Sequence, residues 1–301
     1  MKAAVYHETG GPEVLRVEEF EAPAPGDGEV LVEVRAASVN PYDAKVRGGK
    51  YDPSLPAVTG NDVAGTLVES NSPDFSAGDE VFGWSSSGAA AEFATAAAEV
   101  IAPMPAGLSF EQAAAIPVAG NTAWQAVFDS GGLKEGLTAL IVGASGGVGH
   151  FALQFAKHGG ARTIGTASGR NREFVESLGA DEFIDYTESD VGETVDDADL
   201  VFDTVGGDIT AGLVPALAQG GVLVTIAGDP PEAAAEQRGA RAELLVASPS
   251  AANLTRIAEL VVSGEVRIEI SESLPLEEVR KAHELIESGR TRGKIVLRID
   301  S

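Results

Sequence analysis

The run Leu140-Ile141-Val142-Gly143-Ala144-Ser145-Gly146-Gly147-Val148-Gly149 constrains this chain more than any other stretch. An apolar strand over Thr138–Val142 ends in a turn too tight for side chains, and the backbone N–H groups of Ser145 to Val148 then open a helix whose positive dipole end faces outward. Such a turn seats a pyrophosphate. The G-x-G-x-x-G pattern appears as Ala144-x-Gly146-x-x-Gly149, with Ala in the first glycine slot and further glycines at Gly143 and Gly147. A glycine cluster alone is often only a turn. Here Val148, Ala152 and Phe155 follow at i, i+4 and i+7, Gly159-Gly160 stops the helix, and residues 162–166 read as a second strand, so the cluster sits inside a βαβ unit.

Further strand candidates lie at residues 182–186, 200–205, 222–227 and 243–247, with helical stretches at 172–178, 208–218 and 251–262 between most of them; residues 187–198 are too polar to read. Strands alternating with helices predict an α/β fold with a doubly wound parallel sheet of the Rossmann type. Cofactor choice is read at the end of the second strand. An acid about twenty residues past the glycine turn would accept a hydrogen bond from the 2′-OH of NAD and repel the 2′-phosphate of NADP. Residues 164–171 contain no acid; Ser168, Arg170 and Asn171 offer a hydroxyl, a guanidinium suited to bidentate phosphate pairing, and an amide. NADP(H) is the expected cofactor, and a solvated loop cation is the competing reading of Arg170. Val205, after the fourth strand, and Ile226-Ala227, after the fifth, fall at carboxyl ends of strands, where doubly wound folds bind ligands.

At 301 residues the chain is long enough for two domains. No stretch has the length of a membrane span and the N-terminus shows no basic-then-apolar leader, so a soluble, cytoplasmic protein is expected. Cysteine is absent, which removes disulfides, thiol nucleophiles and Cys-ligated zinc. The 46 acids outnumber the 21 bases for a formal net charge of −25, which excludes a nucleic-acid-binding face. A salt-adapted, halophilic surface explains such a charge because molar salt screens its self-repulsion; an ordinary acidic mesophilic protein is the alternative.

Residues before about 100 carry short strand-like runs (2–6, 30–36, 64–69, 80–82) separated by turn residues, the mark of a compact β domain. Ser109 then caps a helix with Gln112 three residues on, and residues 121–128 continue as another. The last part, a strand at 265–270, a helix at 276–288 and a strand at 294–299, is expected to fold back onto the first domain. Arg292 and Lys294 in it are candidates to reach the cofactor, or plain solvated cations.

This order of parts resembles the medium-chain dehydrogenase/reductase superfamily, and within it the zinc-free quinone oxidoreductase branch that includes zeta-crystallin. The resemblance rests on Ala37-Ser38-Val39-Asn40-Pro41-Tyr42-Asp43, Arg47-Gly48-Gly49-Lys50-Tyr51, Gly60-Asn61-Asp62-Val63-Ala64-Gly65, Asn121-Thr122-Ala123-Trp124 and Arg292-Gly293-Lys294-Ile295-Val296-Leu297, together with the glycine turn. It implies a GroES-like catalytic domain at 1–112 and 266–301, an NADP-binding Rossmann domain at 113–265, and a homodimer joined along the sixth strand. It also implies Asn40, Tyr51 and Thr122 near the nicotinamide and Tyr186 by the adenosine phosphate.

Departures from the zinc-dependent relatives bear on chemistry. Asn40 stands where those carry a Cys ligand, Gly60-Asn61-Asp62 where they carry Gly-His-Glu, and His7, His150, His158 and His283 are scattered, so no metal is expected. Alcohol oxidation then lacks a Lewis acid, whereas a quinone or α,β-unsaturated carbonyl delocalises the charge that hydride transfer creates. Asn40 can offer an amide N–H and Tyr51 a phenol O–H to the developing oxyanion. A turn-forming Asn, a packing Tyr and a local hydroxyl cap are the plainer readings of Asn40, Tyr51 and Thr122. The expected activity is NADPH-dependent reduction of quinones or enones. An enoyl-thioester reductase, which would want a basic patch for coenzyme A phosphates, and a non-catalytic NADPH-binding protein are the alternatives.

Overall fold

The computed structural model describes residues 1–299 and divides into two compact units: Thr122–Ser248 with Glu265–Arg267, and Met1–Asn121 with Pro249–Gly264 and the chain from Ile268 onward. In the first of these, a six-stranded sheet runs in the order Glu182–Asp185, Arg162–Ala167, Thr138–Val142, Ala198–Asp203, Leu217–Thr225, Arg241–Leu244, every pair parallel. Strand order reverses at Thr138–Val142, whose five residues are all buried, as a parallel strand covered on both faces requires. This is the doubly wound sheet read from the sequence. The stretch 187–198 holds a short helix, Val191–Thr194, capped by the Asp190 carboxylate on Gly192 N–H at 3.0 Å.

Some local expectations are corrected. The single helix expected at 208–218 is broken: Ile209–Gly212 is helical, Pro215 restarts the chain in a short 3₁₀ turn at Val214–Ala216, and the fifth strand begins at Leu217. Helix Gly149–His158 starts one residue after the expected position, its first bond running from His150 N–H to Gly146 O at 3.0 Å. Helix Pro117–Trp124 begins five residues before Thr122, so that hydroxyl does not cap a helix start.

The other unit is mostly β. Its larger sheet runs Ile270–Pro275, Lys294–Arg298, Glu29–Val39, Asp62–Ser70, Glu80–Trp84, Ile101–Pro103, with Phe93–Ala97 also paired to Glu29–Val39; Arg16–Glu19, Lys2–Tyr6 and Ala57–Val58 form a smaller one. Along Glu29–Val39, Val30, Val32 and Val34 alternate into the core, each side chain contributing about 1.5–3 kcal/mol by leaving water. The strand expected at 265–270 runs instead from Ile270 to Pro275, and helix Ala251–Val262, expected in the nucleotide domain, belongs to this unit and packs on Ile101–Pro103. Two pairings position the site described next. Ser38 lies opposite Asp62, and Val39 lies opposite Ile295, so Lys294 arrives beside Asn40 from the far end of the chain.

Candidate active site

In the nucleotide unit, the glycine turn is closed by its neighbours. Gly143 has φ +78°, and a Cβ there would fall 2.5 Å from Thr204 Oγ1; a Cβ on Gly149 would fall 2.1 Å from Gly143 O. Only glycine lets the helix start lie this close to the strand end. Ala144 N–H donates to Thr166 O at 2.9 Å, tying the turn to the second strand. Asn171, buried, extends its Nδ2 to Ser145 Oγ at 3.3 Å and Ser168 Oγ at 3.4 Å, so three of the expected phosphate-side residues meet, with Arg170 exposed next to them.

The loops after the fourth and fifth strands are organised by a residue the sequence reading passed over. Asp203, fully buried, accepts from Val205 N–H and Gly206 N–H at 2.9 Å each, from Thr210 Oγ1 at 2.7 Å and from Thr225 Oγ1 at 3.3 Å. Ile226 N–H bonds Asp203 O at 3.2 Å, and a Cβ on Gly206 would fall 2.2 Å from Ala227 O, so Val205, Ile226 and Ala227 form one wall beside Gly143. Tyr186 projects at 58% exposure from the end of the third strand. Asp185, also overlooked, stands beside Gly169; hydrogen bonds from Thr187 hold its carboxyl below the usual range. Glycine turn, helix start, hydroxyl–amide cluster and exposed guanidinium together fit a dinucleotide bearing a 2′-phosphate.

In the β unit, Asn40 precedes helix Pro41–Arg47 and is buried. Its backbone N–H donates to Asp43 Oδ2 at 2.7 Å, its side-chain Nδ2 to Asp62 Oδ2 at 2.9 Å, and its Oδ1 accepts from Lys294 Nζ. Lys294, expected at the cofactor or in solvent, is instead 2% exposed, with Nζ 3.6 Å from Asp62 Oδ2; the strand pairing that buries it could not be seen locally. Asp62 also accepts from Ser38 Oγ at 2.5 Å and Val118 N–H at 2.9 Å. Burial lowers the Lys294 ammonium pKa, an effect opposed by Asp62 and Asp43. Burial, with the Asp62 charge adding, pushes the Asp43 carboxyl up to about 7. The spacing Asn40-x-x-Asp43 ahead of a helix is the signal that would have found Asp43 as a capping carboxylate.

Tyr51 is half exposed, its ring 5.2 Å from that of Tyr42. Within this unit a cavity of about 370 Å³ is lined by Tyr6, Tyr42, Asp43, Asn61 and the Ser85–Gly88 loop. Thr122 is buried in the nucleotide unit and Arg292 half-buried in the β unit.

A zinc ion does not fit here: Asn40 and Asn61 are neutral amides, and the one fully buried carboxylate among them, Asp62, already faces an ammonium. His158, expected near a helix end, pairs with Glu265 at 2.9 Å, and among the described residues no His/Cys/Asp/Glu group could hold a metal.

Residues 26–116 match the alcohol dehydrogenase GroES-like domain and residues 178–297 match the zinc-binding dehydrogenase family. The chloroplastic NADPH-dependent alkenal/one oxidoreductase of Arabidopsis thaliana is 34% identical over 316 residues, covering 99% of this chain and 79% of that protein. The quinone oxidoreductase of Mus musculus is 33% identical over 324 residues, covering 99% and 97%. The structure of Escherichia coli quinone oxidoreductase complexed with NADPH superposes with a TM-score of 0.90 at 29% identity, covering 99% of this chain and 100% of that one.

Proposed function

This chain belongs to the medium-chain dehydrogenase/reductase superfamily, and within it to the zeta-crystallin-like quinone oxidoreductases, and from that premise we propose that it reduces quinones and α,β-unsaturated carbonyls with NADPH, without a metal. The observation that carries the reading is the glycine turn closed against Thr166, Asn171 and Thr204, a seat for the dinucleotide. Relatives named for alkenal, alkenone and quinone reduction support the acceptor class.

When bound, the cofactor supplies a hydride from its nicotinamide ring. The backbone N–H groups of Ser145, Gly147 and Val148, with the helix dipole, hold the diphosphate, while Ala144 and Gly146 shape the turn through their own bonds to Thr166 O and Gly143 O. Asn171 fixes Ser145 and Ser168, and Arg170 reads the 2′-phosphate. Thr122, Tyr186, Val205, Ile226, Ala227 and Arg292 are further cofactor contacts in this reading. Tyr51 donates its phenol O–H to the acceptor oxygen. Asn40 has its amide nitrogen on Asp62 and its carbonyl on Lys294, so the ion pair sets the orientation in which that amide meets the same oxygen. Lys294 thus acts through Asn40.

No helix among the described residues is long and apolar enough to cross a membrane. The sixth strand, Arg241–Leu244, is a sheet edge, and beyond it Val246 is 80% exposed; a second copy pairing there would make a homodimer, which light scattering at micromolar concentration tests, a monomer refuting it. A cytoplasmic setting and a salt-adapted surface complete the reading. NADPH oxidation is to be followed against a panel of quinones and enones with chelator present. Turnover with one or more is expected; none with any overturns the proposal.

A further inference from the structure

The Asp43 carboxyl is 3% exposed and lines the cavity of the β unit, and its hydrogen-bond partners, Asn61 Nδ2 at 3.1 Å, Asn40 N–H at 2.7 Å and the Asn40 side-chain amide, are all neutral. The buried ammonium beside it is directed elsewhere, onto Asn40 and Asp62. Asp43 is therefore a buried carboxyl facing a cavity, with the Asp62 carboxylate nearby and the Lys294 ammonium bonded to other groups. We infer that Asp43 delivers the proton that completes reduction of the acceptor, through the cavity it lines. The inference rests on the reductase reading.

In an enone the hydride forms a C–H bond at the β-carbon and the π pair moves onto the carbonyl oxygen. The Asp43 O–H bond then breaks, its proton forms the α C–H bond, and the carboxylate regains a proton from water. The balance is acceptor, NADPH and one proton to saturated carbonyl and NADP⁺. The groups that face Asp43 set its proton affinity: burial and Asp62 raise it to about 7, Lys294 and the Asn40 N–H oppose them, and Tyr6 and Tyr42 flank it on the cavity side. A donor that holds its proton up to neutrality and regains it from solvent suits each turnover. Arg47, on the same helix, is bound instead to Gly10 O, His283 and Glu287.

Asp43→Asn tests this, because its amide oxygen still accepts from Asn40 N–H and preserves the helix start; circular dichroism melting checks the fold. With an α-substituted enone in D₂O, the wild type should place deuterium on one face of the α-carbon and lose rate as pH rises through about 7. The variant should bind NADPH normally, fall about 10²-fold in kcat, lose facial selectivity and lose that pH limb. Independently, ¹³C NMR of aspartate-labelled protein should show a carboxyl titrating near neutrality that Asp43→Asn removes. A variant with wild-type rate and selectivity, or a wild type with no such resonance, overturns the inference. Absence of NADPH oxidation by the wild type with any quinone or enone would sink the reductase reading instead, and the NMR titration still reports on Asp43.

Discussion

Lys294 Nζ donates to Asn40 Oδ1 and lies 3.6 Å from Asp62 Oδ2, an ion pair with both partners essentially out of water. A buried pair of this kind stabilises little as a whole, because desolvation offsets attraction, but removing one partner strands the other. Lys294→Met should therefore lower unfolding free energy by about 3–5 kcal/mol in urea titrations, and a double change with Asp62→Asn should recover part of it. An effect below about 1 kcal/mol would mean that Asp62 is solvated.

Stability against pH carries two opposed contributions. Asp43 holds a proton up to about 7 in the folded state against 3.8 unfolded, so its contribution is present at low pH and declines as pH rises across that window. His283, its pKa lowered to about 3 by burial and then by Arg47, stays neutral where the unfolded chain, at 6.5, takes a proton, so its contribution is lost as pH falls from 6.5 toward 3. The slopes cancel between about 4 and 6.5. Asp43→Asn removes one, and the stability of the variant relative to wild type should climb with pH by about 1.4 kcal/mol per unit there. Parallel stability curves would refute the raised carboxyl.

The nucleotide half was legible because its signals are local: apolar strands, glycines where a Cβ would strike the next strand, and helix stops. Phe93–Ala97 was missed since alternating alanine carries little pattern, and the helix expected at 208–218 overran because Leu213 and Val214 continue an apolar spacing through Pro215. In the β half, Asn40 and Tyr51 were singled out, but the group that sets the orientation of Asn40 lies 254 residues away. Only the register of Val39 against Ile295 reveals it. Asp43 was hidden differently, as a residue whose capping role is ordinary and whose burial is tertiary.

Arg170→Ala should weaken NADPH by about 1.5–3 kcal/mol, the loss of a charge-assisted hydrogen bond, and leave NADH nearly unchanged. The neighbouring carboxylate of Asp185 works in the opposite sense, so Asp185→Asn should favour NADPH. Calorimetric titration of both cofactors distinguishes these outcomes. Equal losses for NADPH and NADH on Arg170→Ala would show that it does not read the 2′-phosphate.

With a formal charge of −25, melting temperature should rise as KCl increases into the molar range, where the screening length falls to about 3 Å. Exposed pairs such as Arg162 with Glu182 at 2.9 Å and Asp197 at 3.1 Å weaken in parallel, but each is worth only about 0–1 kcal/mol. A flat or falling melting temperature would remove the salt-adapted reading.

Tyr51→Phe isolates the phenol. The ring keeps its place against Tyr42 and under Lys50, whose Nζ lies 5.8 Å from the ring centre, so packing and NADPH affinity should survive. Loss of one oxyanion donor lowers turnover by on the order of 10²-fold, and by less where water takes its place at this half-exposed position. Asn40→Ala should act on the same step while also releasing Lys294 and Asp62, so its stability loss must be measured alongside its rate. If both side chains serve one oxygen, the double variant loses less than the product of the single effects. Wild-type turnover of Tyr51→Phe with both a quinone and an enone would make Tyr51 a packing residue and leave the oxyanion to Asn40 alone.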